Sequence, residues 1–216
     1  MPTNRYNGRP ADVEVVPQGT VLYRIMAANA SYPANSFNMN PRKLGHPKQG
    51  RFEPADPRLG GYIYVADTLA GAVAEGVLRN QTISKQGVVR RPWLVNKKLV
   101  RLRLGSDVTL ASVYGSGATK LNLDTALLCG GVSRYSQTRE TGTKILLKTK
   151  PAFGMRCRCR NHDKLTSLML ITRVGPAPVL TLIDEVDIFF DEKGRDLVLG
   201  ILHAEFELQY SGKLPN

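Results

Sequence analysis

The chain has 216 residues, 42% of them hydrophobic and 22% charged, which suits one substantial globular domain or two small ones. No apolar run is long enough to cross a bilayer, residues 1–19 lack a signal-peptide core, and three cysteines are an odd count that argues against a disulfide framework. A soluble cytoplasmic protein is expected, and its net charge of +12 draws anions, whether nucleic acid, a dinucleotide or an acidic protein.

Residues 1–19 are polar, carry Pro and Gly, and are expected to form an arm ahead of a domain over 20–216. Thr20 to Met26 predicts a strand, since aromatic and β-branched residues favour pleated, half-buried backbone. Arg24 is its one charge. A guanidinium inside an apolar strand is costly unless it meets an anion or reaches water from a sheet edge. Ala27 to Leu59 has no sustained period and is rich in Asn, Pro and Gly. It reads as a long loop, a kind of segment that often carries function, and it contains Gly50-Arg51-Phe52.

Gly60-Gly61 marks a turn and Tyr62 to Val65 a short strand. Asp67 or Thr68 can cap a helix starting at Leu69, whose apolar stripe is Leu69, Val73 and Val77. Glu75 lies off that stripe, among Gly71, Ala72 and Gly76, and is the only charge between Asp67 and Arg79. Small neighbours let a backbone, ring or ligand come close. A lone carboxylate there is paired with a cation or awaits one; the plain alternative is a solvated glutamate.

Trp93 to Leu104 predicts one or two strands, with Val100, Leu102 and Leu104 alternating with Arg101 and Arg103, which face water. Asp107 to Val113 predicts a short apolar element. Gly115 to Lys120 reads as a Gly/Ser loop and lacks the ending of a phosphate-cradling Walker loop. Leu121 to Cys129 and Tyr135 to Lys148 predict helices. Gly154 to Arg160 and Leu165 to Val174 predict strands. Val179 to Val186 predicts a strand or a helix start, and Leu197 to Tyr210 closes the fold.

Cys157, Cys159 and His162 invite a zinc reading. One residue between the cysteines is the wrong spacing for a knuckle, and only Cys129, His46 and His203 are left to complete a set, so no metal is expected. Arg156, Arg158, Arg160 and Lys164 either bind phosphates or form the wet face of a strand. Direct nucleic-acid binding is not expected, because neither interleaved exposed aromatics nor a recognition helix accompanies the charge.

Several of these segments fall into one pattern. Leu22-Tyr23-Arg24-Ile25, Gly50-Arg51-Phe52, Tyr62-Ile63-Tyr64 and Ala72-Val73-Ala74-Glu75, then Tyr135-Ser136-Gln137-Thr138-Arg139 and Gly154-Met155-Arg156-Cys157-Arg158-Cys159-Arg160, resemble in order the RES domain family, named for its Arg, Glu and Ser. The likeness spans Thr20 to Ile171. Cys159 stands where the family has serine and Cys157 where it often has tyrosine; Ser133 or Ser136 is the alternative source of a hydroxyl. The resemblance implies a mixed α/β (α+β) fold like that of ADP-ribosyltransferases. It implies a toxin of a toxin–antitoxin pair that consumes NAD+ as substrate, with no further cofactor, and is neutralised by a helix-turn-helix antitoxin. Relatives hydrolyse or phosphorolyse the nicotinamide–ribose bond, or transfer ADP-ribose to a protein; a homo-oligomer stays open.

The residue chemistry meets that implication. A cation-like ribose wants the Glu75 carboxylate. Arg24, with Arg51, would grip a pyrophosphate through guanidinium forks. Tyr64 would stack on nicotinamide or ribose, and Cys159 would orient the substrate. Tyr135 and Arg160 are expected as supporting substrate contacts.

Overall fold

Alternating apolar side chains build two sheets, and the way those sheets face each other positions everything else. A computed structural model describes residues 6–47, 49–173 and 177–215. In chain order the elements are β1 (Val13–Val16), β2 (Val21–Ala27), β3 (Tyr62–Val65), α1 (Leu69–Val73) running into a π turn (Ala74–Leu78), β4 (Val88–Val89), β5 (Lys97–Leu104), β6 (Val108–Val113), α2 (Gly115–Lys120), α3 (Thr125–Leu128), α4 (Tyr135–Lys148), β7 (Gly154–Arg158), β8 (Thr166–Ile171), β9 (Leu180–Asp187), α5 (Glu192–Phe206) and β10 (Gln209–Tyr210).

The larger sheet has the order β1-β6-β7-β8-β3 and the smaller β2-β5-β9, while β4 and β10 form a parallel pair. The larger sheet is mixed: β6 and β7 run parallel, and its other pairings are antiparallel. The fold is therefore mixed α+β, as expected. Strand β8 sits inside the larger sheet and is apolar on both faces. Leu168 and Leu170 point to a core shared with Leu22, Val100, Leu102 and Leu104 of the smaller sheet. Met169 and Ile171 point to a second core that includes Ile145 and Leu146 of α4. A third core joins Val73, Val77 and Leu78 to Val198 and Leu202 of α5. Period-two alternation explains why a continuous apolar run such as Leu168 to Ile171 is a strand buried on both faces. Arg101 and Arg103 on β5 face solvent, as their alternation predicts.

Two stretches differ from expectation and a third agrees with it. Val13–Val16, read as part of an arm, forms β1 and pairs with β6; Val13 and Val15 remain exposed, so no one-sided apolar pattern announced the strand. Gly115–Lys120, read as a loop, is the short helix α2, with Gly117 buried where a Cβ would lie 2.7 Å from the Ser112 carbonyl. Tyr135–Lys148 is helical over the whole expected span. Residues 1–5 of the expected arm, and Val174 at the end of the strand expected over 165–174, lie outside the described residues. No described helix is long and apolar enough to cross a membrane.

Candidate active site

Thr68 caps α1, its hydroxyl accepting from the Gly71 amide at 3.0 Å. The helix then widens into the π turn that carries Glu75, a local irregularity that often marks functional sites. Small residues are required here: a Cβ on Gly76 would lie 2.4 Å from the Ile25 Cβ, and one on Gly71 would lie 2.7 Å from the Thr166 carbonyl. The glycines thus press the turn between β2 and β8 and set Glu75 beside both strands. Lys97 donates to the Gly76 carbonyl at 2.6 Å, bonding backbone at the widened turn.

Glu75 is 13% exposed and is not a solvated surface residue. Its Oε1 accepts from Arg51 Nη2 at 3.0 Å and from the Arg160 amide at 3.3 Å, and its Oε2 lies 3.8 Å from Arg79 Nε. The carboxylate expected to need a cation has two. Arg51 is only 2% exposed. Its Nη1 donates to the Leu128 carbonyl and its Nη2 also to the Arg158 carbonyl, each at 2.9 Å. Arg51, expected to grip a ligand, lines neither the cavity walled by Glu75 nor the larger one beside it, and both of its Nη groups are bonded to protein acceptors.

The first of those cavities, of about 230 Å³, is lined by Arg24, Tyr64, Glu75, Arg79 and Ser167, with Gly71, Ala72 and Gly76 forming part of its wall. The second, of about 710 Å³, is lined by Arg24, Arg42, Arg79, Tyr62, Tyr64 and Tyr135, and by Ser36 to Asn40 and Gln49-Gly50 of the long loop. Arg24, Tyr32, Tyr64 and Arg79 belong to both. Among its described lining residues the larger cavity has three arginines and no carboxylate, an arrangement that selects anions. Arg24 is on a sheet edge yet lies in the cavity walls, with one Nη donating to the Ala34 carbonyl at 2.8 Å and its guanidinium 5.9 Å from the Tyr32 ring. Burial lowers its pKa.

The long loop is held from beneath. Arg139 of α4, fully buried, uses Nε and both Nη groups on the carbonyls of Glu53, Lys43, Arg42 and Pro54 and on the Gln49 side chain. Thr138 donates to the Arg51 carbonyl at 2.8 Å. Glu53, with no exposed side chain, accepts from the Gly50 and Arg42 amides and from the Tyr62 hydroxyl. Burial opposes its charge, but these donors outweigh burial and hold its pKa below the usual carboxylate value. Tyr64 accepts from the Phe52 amide at 2.8 Å, and burial pushes its phenol pKa up.

Of the expected residues, the structure brings Arg24, Tyr64 and Glu75 to the smaller cavity, and Tyr135 to the larger. Cys159 is 0% exposed and lines neither cavity; its thiol faces the Gly71 carbonyl at 3.9 Å. Arg160 lines neither, and its Nη1 is bound to the Arg79 carbonyl at 3.1 Å. Ser133 and Ser136 are also absent from both walls. Two lining residues went unassigned in the sequence. Ser167, 3% exposed, lies in register with Cys157 on the neighbouring strand. Arg79 has its guanidinium 5.7 Å from the Tyr64 ring and 5.4 Å from the Tyr135 ring. Its spacing of four from Glu75 on one helical face was the available signal. Within the basic cluster, Arg156 pairs with Glu14 and Asp67, and Arg158 with Asp163. Among the described residues no His, Cys, Asp and Glu group could hold a metal.

The fold and these cavities define an α+β protein with an arginine-lined cleft beside a smaller cavity walled by the Glu75 carboxylate. Residues 21–191 match the RES domain, and the chain belongs to the RES domain family. Among solved structures it is similar to a chain in the crystal structure of the M. tuberculosis MbcT–MbcA toxin–antitoxin complex, with a TM-score of 0.50 and 16% identity over 80% of this chain and 86% of that one. No curated protein matches the sequence significantly.

Proposed function

We propose that the protein is a cytoplasmic toxin-type enzyme that cleaves the nicotinamide–ribose bond of NAD+, held in check by an antitoxin of the helix-turn-helix kind. The observation that carries the reading is the convergence of Arg24 and Glu75, far apart in the chain, on one cavity. Family membership supports it, as does the fold shared with a chain of the MbcT–MbcA toxin–antitoxin complex.

In this reading the ribose of the nicotinamide half enters the smaller cavity. The bond between ribose C1′ and the nicotinamide nitrogen breaks, and its electron pair leaves with the neutral nicotinamide. Positive charge then grows on the ribose, and Glu75 faces it. A fixed, mostly buried carboxylate stabilises that charge far more than water does. Arg51 and the Arg160 amide hold Glu75 Oε1 in place, so little reorganisation is needed. Arg24 offers donors to the dinucleotide phosphates. Tyr64 forms the wall beside the reacting ring, its hydroxyl fixed by Phe52. The nucleophile that completes the reaction is water, inorganic phosphate or a protein side chain, and it gives its proton to solvent.

Purified protein is expected to release nicotinamide from NAD+, and Glu75→Gln to lower that release by at least about a hundredfold while keeping an acceptor for Arg51. Turnover measured with and without phosphate, and with labelled NAD+ in a cell extract, separates the three acceptors. A wild-type protein that leaves NAD+ intact under all three conditions overturns the reading. An active Glu75→Gln variant overturns the role given to the carboxylate.

A further inference from the structure

Among the described residues three arginines line the cleft and a fourth, Arg51, lies behind Glu75, and their donors are not equally spent. Arg51 is buried and bonded to Glu75 and two carbonyls. Arg42 is paired with Glu53 at 3.4 Å. Arg24 gives one Nη to Ala34. Arg79 makes one side-chain hydrogen bond among the described residues, from Nε to the Tyr135 hydroxyl at 3.4 Å. That bond leaves both of its Nη groups for whatever occupies the cleft.

The setting of Arg79 is that of a built site. Its side chain is 20% exposed, and the rings of Tyr64 and Tyr135 both lie close to its guanidinium. Aromatic faces attract a guanidinium and limit its tilt, so fewer conformations are lost when it binds. Its backbone carbonyl is tied by Arg160. Burial disfavours its charge, yet Glu75 and the tyrosines outweigh burial and raise its pKa, so it stays cationic. Most telling is its place. Among the described lining residues, Arg24 and Arg79 are the two cations shared by both cavities. One side of this waist holds Glu75; the other is roomier, with Phe37, Met39, Tyr62 and Val132 among its walls. A ligand spanning both sides must put an anionic group between a sugar near the carboxylate and an apolar ring in the larger space.

We propose that Arg79 forms, with Arg24, a two-guanidinium clamp for a diphosphate at the waist between the two cavities, the role that burial denies to Arg51. The inference rests on the dinucleotide reading for the identity of the flanking groups, but the clamp itself requires only a diphosphate. A guanidinium fork binds phosphate oxygens in a bidentate manner that a lysine point charge does not reproduce.

The test is calorimetric binding of adenosine, AMP and ADP to wild-type protein, Arg79→Lys and Arg79→Met, with melting curves to show that each variant is folded. Wild type is expected to bind ADP well above adenosine. Arg79→Met should lose roughly 10- to 100-fold in ADP affinity, the range for charge-assisted hydrogen bonds, and keep its adenosine affinity. Arg79→Lys, which retains the charge over the two rings, should fold even where Arg79→Met does not, and should fall between. In turnover the loss should appear in KM for NAD+; a residue that only held Glu75 would lower kcat and leave ADP affinity alone. ADP affinity unchanged in both variants, or wild type binding ADP no better than adenosine, overturns the clamp. Discrimination for ADP without nicotinamide release would keep the clamp and overturn the NAD+ reading instead.

Discussion

At the scale of single residues, the thiols illustrate how position overrides type. Cys159 occupies the place that the resemblance gives to serine, but it is sealed from both cavities. Burial pushes its thiol pKa up, with Glu75 adding to the effect. Cys157 is likewise pushed up, to about 12, chiefly by burial. A thiol with a raised pKa holds its proton below that value and supplies little thiolate, the reactive form. In folded protein at pH 8, iodoacetamide should therefore modify Cys129, which is partly exposed, well before Cys157 or Cys159. Peptide mass spectrometry over time checks the order. Labelling of Cys157 or Cys159 as fast as in urea-unfolded protein would show that the strand opens readily and that the thiols are available for chemistry. A serine hydroxyl does line the smaller cavity, that of Ser167 on the neighbouring strand. Its place was hidden in the sequence because it depends on strand pairing, not on adjacency along the chain.

At the scale of elements, the strand-to-helix unit from Tyr62 to Leu78 was largely legible. Aromatic and β-branched residues marked the strand, Asp67 or Thr68 the cap, of which the structure uses Thr68, and Leu69, Val73 and Val77 the buried face. The small residues around Glu75 announced a close approach, which proves to be the packing of the turn on β2 and β8. The π turn was not legible, since its widening follows from tertiary packing and not from propensity. Nor was the ring contact of Arg79 with Tyr135, which joins the end of that turn to the start of α4 across 56 positions. Gly76→Ala tests the element directly. The new methyl would lie 2.4 Å from the Ile25 Cβ, so helix propensity, which alone favours alanine by about 1 kcal/mol, must lose to overpacking of about 1–3 kcal/mol. The variant should melt at lower temperature than wild type and release nicotinamide more slowly, because the turn that carries Glu75 is displaced. A Gly76→Ala protein with raised stability and full activity would mean that β2 yields to the turn at no cost.

At the scale of the whole molecule, two sheets and a pinned loop surround an arginine-lined cleft in a chain that is already strongly basic. The +12 net charge could not by itself distinguish nucleic acid from a small anion. The structure narrows the question by showing where cations are consumed. Arg101, Arg156 and Arg158 are each paired with a carboxylate, whereas Arg24 and Arg79 retain donors that face the cleft. A field converging on a concave, partly dry site raises the local concentration of anions, and salt weakens it over a Debye length of about 10 Å at 0.1 M. For NAD+ the consequence is specific. KM should rise several-fold between roughly 0.05 and 0.5 M NaCl, while kcat changes little, because Glu75 and its partners are shielded from bulk ions by burial. Steady-state kinetics across that range, repeated with Arg79→Lys, measures both effects. A KM flat in salt would mean that the arginines of the cleft are internal structure and recruit nothing. A kcat that falls in step with affinity would place the Glu75 pair in contact with solvent ions and remove the dry, preorganised carboxylate on which the proposed chemistry depends.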